Sequence, residues 1–329
     1  MQRIAIIGLG LIGGSIGLGL RRWSSDNSNA LRIVGFDEDL DKQSRARKLG
    51  AIEEAEWSLA NAVSNADIVI VATPVGAMSQ VFEDISPNLK QGAIVTDTGS
   101  TKTDVLEWAK QLPDHVSFVG GHPMAGKSGS LEAADADLFK GATWVICPSV
   151  SADEAAVRNV LGIVGAVGAE TFFVDPAEHD SYVAGISHLP FVAAAALMET
   201  TASDGAWRDM KTLSSTGFKD TTRLALGNPQ MHRDILMTNR AAVARWIDSY
   251  VGTLLTVKAS LLAEHDRAAD QLLAFFSEAQ DERAKVEVQQ NRASEQSGSP
   301  EGSITKENMS DQMGRMFLGG LGKRRKTPK

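Results

Sequence analysis

The sequence predicts an α/β protein whose N-terminal part is doubly wound around a covered sheet and whose C-terminal part is all-helical. From the start to about residue 175, short Ile- and Val-rich runs alternate with amphipathic stretches, a β/α rhythm. After Asp175-Pro176 the strand-like runs cease and helical periodicity takes over. From about residue 288, Gln, Asn, Ser, Glu and Gly dominate. The expected division is residues 1–175, 176–287 and a disordered tail at 288–329.

Taken in order, the strands are expected at Arg3–Ile7, Arg32–Phe36, Ile68–Ala72, Ala93–Thr96, Val116–Val119, Thr143–Cys147 and Thr171–Val174. They lack polar alternation, which implies burial on both faces, as in a parallel sheet with helices on either side. The polar insert Trp23–Asn29 reads as a surface loop. Long helices are expected over Ala177–Thr201 and Pro229–Val286, with a kink at Pro190 directly after Ser187-His188-Leu189. The first turn Glu178-His179-Asp180 reads as solvated, its acids favourable at the N-terminal dipole.

Composition narrows the class. A chain of 329 residues, 43% hydrophobic and 22% charged, can bury two cores. A net charge of −8 argues against nucleic-acid binding, which needs a basic face. The single cysteine, Cys147, cannot form an internal disulfide, and a reducing, cytoplasmic setting is expected. The apolar start Ile4–Leu20 is too rich in glycine for a signal or membrane helix, and no other stretch reads as long and apolar enough to span a bilayer. His115, His179, His232 and His265 show no metal-ligand spacing, so no metal is expected.

Gly8-Leu9-Gly10-Leu11-Ile12-Gly13 follows the first strand and opens a helix. In that context Gly8 makes a tight turn, Gly10 lets backbone approach a pyrophosphate, and Gly13 lets helix and strand pack closely. The phosphates would meet the helix N-terminus. The second strand ends at Gly35-Phe36-Asp37, placing the Asp37 carboxylate where the adenosine ribose should lie. The acidic cluster Asp37-Glu38-Asp39 would repel a 2′-phosphate, so NAD is expected, with Arg45 and Arg47 solvated on the following helix. The N-terminal part is therefore of the Rossmann type.

Two further segments fall at strand ends on the ligand edge: Asp97-Thr98-Gly99-Ser100-Thr101-Lys102 and Gly120-Gly121-His122-Pro123-Met124-Ala125-Gly126. A histidine there can accept a proton from an alcohol as hydride leaves. Ser100 also suits an N-cap for a helix starting near Thr101.

Together with Gly13-Gly14-Ser15, Thr73-Pro74, Ser187-His188-Leu189-Pro190 and Gly217-Phe218-Lys219-Asp220-Thr221-Thr222-Arg223, these segments resemble the prephenate/arogenate dehydrogenase family of tyrosine biosynthesis, over residues 1 to about 285. The resemblance implies NAD-dependent oxidative decarboxylation of a cyclohexadiene, driven by aromatisation. By motif it implies that His122 accepts the hydroxyl proton or hydrogen bond and that Ser100 orients His122 and substrate. It also implies that Arg223 holds a substrate carboxylate, His188 reaches substrate or nicotinamide, Lys219 makes a second anionic contact, and Thr73-Pro74 belongs to the cofactor side. The bland counterparts are a core histidine at 188 and an Asp220–Arg223 surface pair.

Where many relatives carry a Glu after the His-Pro-Met-Ala-Gly run, Lys127-Ser128-Gly129 follows here. Lys127 would favour an extra anion, and hence prephenate over arogenate. Two alternatives compete. A β-hydroxyacid or 6-phosphogluconate-type dehydrogenase would need a lysine on the first helix of the second domain, yet none occurs between Lys140 and Lys211. A non-catalytic NAD-sensing module would not need Ser100, His122, His188 and Arg223 together. Surplus apolar positions in Pro229–Val286, among them Leu236, Val243, Trp246, Leu254 and Leu255, predict a homodimer, as does the resemblance. The residues after 287 are too few and too polar for a regulatory α/β module, although Met309, Met313, Met316 and Phe317 could form one apolar stripe.

Overall fold

The structure, a computed structural model, describes residues 1–27, 31–127, 129–150, 152–263 and 267–297. Among these, eight strands form one sheet: β1 (Gln2–Ile7), β2 (Leu31–Phe36), β3 (Glu54–Ala55), β4 (Ile68–Val71), β5 (Ile94–Asp97), β6 (Ser117–Pro123), β7 (Thr143–Pro148) and β8 (Glu170–Phe173). Their order is β3-β2-β1-β4-β5-β6-β7-β8. The connecting helices are α1 (Leu11–Asp26), α2 (Leu40–Leu49), α3 (Leu59–Ser64), α4 (Met78–Ile85), α5 (Thr103–Trp108) and α6 (Glu154–Ala166).

Side-chain alternation within the apolar runs explains the two cores. Ile4 and Ile6 of β1 face α1 and α6, whereas Ala5 and Ile7 face α3 and α4; Ile68 and Ile70 of β4 divide from Val69 and Val71 in the same way. Both faces being apolar, the strands read as continuous rather than alternating runs. Cys147 is buried in β7, and burial pushes its thiol up to about 12.

Several sequence expectations are corrected. The sheet is mixed, because β7 runs antiparallel to β6 and β8 parallel to β7. The connection from Pro123 to Thr143 contains one short 3₁₀ turn, Leu131–Ala133, and packs beside α1, so the chain re-enters the sheet from the edge it left. Strand β6 continues through Pro123, which places His122 within the strand rather than after it. The two-residue β3 carries no apolar run and was not expected. Helix α1 extends through Asp26, so Trp23–Asp26 form its last turns, not a loop.

The second region contains α7 (Pro176–Val183), α8 (Leu189–Ala202), α9 (Trp207–Met210), α10 (Thr216–Thr222), α11 (Pro229–Thr238), α12 (Arg240–Leu262) and α13 (Arg267–Ser297). Asp175 caps α7 by accepting from the Ala177 and Glu178 amides, with Pro176 at the first helical position. Pro190 does not break the helix. A π-turn, Ala184–His188, joins α7 to α8, and the Leu189 amide reaches back to the Ala184 carbonyl. Helix α13 carries the fold ten residues past the expected boundary at 287, so 288–297 are helical; the rest of the expected tail lies outside the described residues. The span Pro176–Ala202 has mean hydropathy 1.4 over 18 residues, so by length and composition one helix does reach membrane-spanning character, contrary to the sequence reading.

Phe191 of α8 and Ile235 of α11 enter the core beneath α4 and α5, which fastens the helical region to the sheet. Asp234 stands against Gly76 where α11 passes the turn after β4.

Close backbone approach fixes α1. A Cβ at Gly17 would overlap the Ala51 carbonyl oxygen, a backbone atom that cannot rotate away. Gly17→Ala is expected to destabilise the chain by about 1–3 kcal/mol, read as a lower urea midpoint with an unchanged slope.

Candidate active site

The ligand edge is formed by the C-terminal ends of the parallel strands, with its crevice between β1 and β4. Gly8 holds φ +96°, and a Cβ there would lie 2.7 Å from the Ala72 carbonyl oxygen. A Cβ at Gly13 would overlap the Gly8 carbonyl oxygen, while Gly10 faces open space. Gly10 caps α1 without a side-chain hydrogen bond, so the first-turn amides of Leu11, Ile12 and Gly13 point outward uncapped. Thr73, after β4, keeps a buried hydroxyl with no partner among the described residues, beside Pro74. The Asp37 carboxylate is held in place, Oδ2 accepting from the Leu9 amide at 2.8 Å and Oδ1 from the Asp39 amide at 3.0 Å. Each oxygen retains a lone pair for a ribose hydroxyl. Arg45 is tied to Glu132 at 2.5 Å rather than simply solvated, so a nearby cation is already neutralised. A bare amide turn, a fixed carboxylate and an orphaned hydroxyl fit a non-phosphorylated dinucleotide such as NAD.

Three strands along, His122 ends a hydrogen-bonded chain. His122 Nδ1 lies 2.9 Å from His179 Nε2, and His179 Nδ1 lies 2.8 Å from Asp180 Oδ1. All three are buried, at 8%, 1% and 5% exposure. An ionised carboxylate only accepts, so Asp180 fixes the proton of His179 on Nδ1. His179 Nε2 then accepts from His122 Nδ1–H, which leaves His122 Nε2 as a bare lone pair. Burial, reinforced by the cationic forms of His179, Lys102 and His188, holds His122 well below the usual histidine value, so it is neutral at pH 7.

Asp180 has a second task. Its carboxylate accepts from the amides of Lys102 at 2.7 Å and Thr103 at 2.9 Å, capping α5 across the interface between the two regions. Burial pulls this carboxyl up, but the hydrogen bonds from His179, Thr103 and Lys102 outweigh it and hold the group below its ordinary value. Beneath His122 lies a fully buried ion pair of Lys102 with Asp97. Asp97 also accepts from the Gly99 amide at 2.7 Å and the Gly121 amide at 3.0 Å, which fixes the strand carrying His122.

The turn Glu178-His179-Asp180 is therefore not solvated as a whole: His179 and Asp180 point inward onto β6 and α5. Ser100 is not the α5 cap, and it makes no hydrogen bond to His122, whose Nδ1 belongs to His179. Ser100 is half-buried at the mouth of the β5–α5 loop. His188 is fully buried on the π-turn, its Nδ1 3.3 Å from Asn239 Nδ2 and its Nε2 without a partner among the described residues, and burial pushes it down to about 4. Arg223 and Lys219 are exposed at α10, which packs against α8, and no hydrogen bond or ion pair joins either to His122; neither has a carboxylate partner among the described residues, the Asp220–Arg223 pair included. Lys127 pairs with Asp135 at 3.3 Å, so its charge already has a surface partner.

Sequence reasoning missed His179, Asp180, Asn239 and the Asp97–Lys102 pair. A usable signal existed for one of them: Asp180, Ala184 and His188 recur every four residues, which places Asp180 on the stripe of His188.

Comparison with known proteins follows the same division. The family model described as prephenate dehydrogenase, nucleotide-binding domain, matches residues 16–173, and that described as prephenate dehydrogenase, dimerization domain, matches residues 175–278. A prephenate dehydrogenase of Bacillus subtilis is 34% identical over 295 residues, 88% of this chain and 77% of that protein. The solved structure of an Aquifex aeolicus prephenate dehydrogenase in complex with hydroxyphenyl propionate and NAD+ is similar with a TM-score of 0.80 and 30% identity, covering 87% of this chain and 98% of that one. The Synechocystis arogenate dehydrogenase structure gives a TM-score of 0.71 and 29% identity over 86% and 100% of the two chains.

Burial holds three histidines below their ordinary value, the buried His122 and His188 and the half-buried His232, and this has a consequence for stability. The folded state refuses protons that the unfolded chain takes up below pH ~6.5. Stability is therefore full above that value and is lost as pH falls from ~6.5 towards the folded value of about 4 for His188. The urea-derived unfolding free energy is expected to fall between pH 7 and 5, and the share of that slope due to His122 and His188 approaches two protons, about 2.7 kcal/mol per pH unit, with His232 adding in the same direction. His188→Gln should remove about half of that two-histidine share.

Proposed function

The chain belongs to the prephenate dehydrogenase family, and from that membership and the geometry of the site we propose NAD-dependent oxidative decarboxylation of prephenate to 4-hydroxyphenylpyruvate, or of arogenate to tyrosine. The chain Asp180–His179–His122 carries this reading, because it leaves an unprotonated Nε2 on the ligand edge of the sheet. Bound NAD supplies the hydride acceptor, held by Gly8, Gly10, Leu11, Ile12, Gly13, Asp37, Thr73 and Pro74.

His122 Nε2 accepts the proton of the ring hydroxyl as hydride leaves the same carbon. The bond from the ring to its carboxylate then breaks, its electron pair enters the ring, and carbon dioxide departs. His122 returns the proton to the resulting phenolate as the ring aromatises. His179 and Asp180 stabilise the imidazolium in between, the role of a buried carboxylate behind a catalytic histidine. Ser100, at the loop mouth, contacts the substrate. Arg223, with its guanidinium free of carboxylate partners among the described residues, binds a substrate carboxylate, and Lys219 adds a second cation.

Prephenate is the proposed preferred substrate, supported by the similarity to relatives that bear its name rather than by Lys127, whose charge is taken up by Asp135. Residues 1–175 form the proposed cofactor domain and 176–287 the proposed substrate and dimerisation domain. In a single chain α12 and α13 leave Tyr250, Leu254, Leu255, Leu262 and Phe276 exposed, which supports a homodimer; Leu236 and Val243 pack inside the chain instead. Sedimentation at micromolar concentration is expected to give twice the mass of 35.1 kDa, and a monomer would count against this interface.

NADH formation followed at 340 nm with NAD and either prephenate or arogenate tests the activity. Turnover is expected with prephenate favoured in kcat/KM. His122→Asn should lower kcat by roughly 10²–10⁴-fold, and His179→Ala, which spares the α5 cap, by roughly 10²-fold, both with NAD affinity intact. No turnover with either substrate would contradict the proposal.

A further inference from the structure

His188 presents the opposite hydrogen-bonding face to that of His122, and its cause lies at the junction of α11 and α12. Asn239 sits there with φ −139° and ψ 35°, 7% exposed, between two helices that cannot run on through it. Its Nδ2 lies 2.7 Å from the main-chain carbonyl oxygen of Asp180 and 3.3 Å from His188 Nδ1. A carbonyl only accepts, so the amide nitrogen must face Asp180; the flipped amide would set two oxygens in contact. The second hydrogen of the same nitrogen then points at His188 Nδ1. That atom accepts, and a neutral imidazole with an accepting Nδ1 carries its proton on Nε2. This Nε2 is buried and has no partner among the described residues. A buried N–H left unsatisfied is costly, and a ligand oxygen would relieve it.

We propose that Asn239 is a positioning residue that locks His188 in the Nε2–H tautomer, so that His188 is set to donate a hydrogen bond to a ligand oxygen. Asp180 thereby sets both histidines in opposite senses. Through its carboxylate and His179 it makes His122 an acceptor, and through its main-chain carbonyl and Asn239 it makes His188 a donor. An alcohol being oxidised needs an acceptor at its proton, and the anionic or carbonyl oxygens around it need donors. The inference rests on the proposed function only for the source of that oxygen, either a substrate oxygen or the nicotinamide carboxamide.

Nitrogen NMR of ¹⁵N-histidine-labelled full-length protein at neutral pH reads the protonated nitrogen directly, with His188→Gln identifying the signal. Wild type is expected to show the proton on Nε2. Asn239→Asp, whose carboxylate only accepts, should move it to Nδ1, and Asn239→Ala should remove the bias. Wild-type His188 protonated on Nδ1, or an unchanged tautomer in both variants while they still bind NAD, overturns the proposal. In the NADH assay, Asn239→Asp should lower kcat/KM roughly 10- to 100-fold. A rise confined to KM for prephenate places the acceptor on the substrate, and one confined to KM for NAD places it on the carboxamide. An inverted tautomer with unchanged kinetics overturns the donor role. A wild type inactive on both substrates would defeat the functional reading but leave the tautomer measurement standing.

Discussion

The Asp180 carboxylate, buried between a helix of one region and a loop of the other, is the constraint on which the site depends. It accepts from the Lys102 and Thr103 amides at the start of α5 and from His179 Nδ1 on its own helix. A buried carboxylate with fewer donors would take up a proton, because desolvation penalises the charged form by several kcal/mol. Here three donors keep the charge, and the charge sets the proton positions along the histidine chain. Remove it, and neither the direction of the His179–His122 bond nor the entry angle of α5 is defined.

The same logic accounts for the other buried charges. Lys102 is fully buried and would be a liability alone, yet Asp97 neutralises it and spends its remaining acceptor capacity on the Gly99 and Gly121 amides. Cation, carboxylate and strand are thereby one unit, and His122 stands one residue beyond Gly121 on it. The helical region contributes His179, Asp180, His188 and Asn239, and the sheet region contributes the glycine turn and His122. Phe191 and Ile235, buried in the sheet's own core, hold the two sets in register.

Some of this was legible in the sequence. The glycine turn was readable because each glycine answers a local demand, a positive φ at Gly8 and a contact with backbone at Gly13. Six of the eight strands emerge within a residue or two of the expected runs, five of them because both their faces are apolar; the sixth, β8, is half-exposed and shows through its Thr-Phe-Phe-Val run. The direction of β7 was not legible, since it depends on where the connection from Pro123 to Thr143 travels, not on the strand's composition. Nor was the inward turn of His179, and for Asp180 only the stripe shared with His188 hinted at it: local pattern favours acids at a helix start and cannot show that another helix needs its cap there. Pro190 announced a disturbance, but whether it becomes a kink or a π-turn is decided by the packing of both flanking helices.

Proton positions are the heart of the account, and neutron diffraction from deuterium-exchanged crystals at neutral pH observes them directly. Deuterons are expected on His179 Nδ1 and His122 Nδ1, with His122 Nε2 and both Asp180 oxygens bare. A deuteron on His122 Nε2, or on the Asp180 carboxyl, would contradict the assignment of His122 as the base.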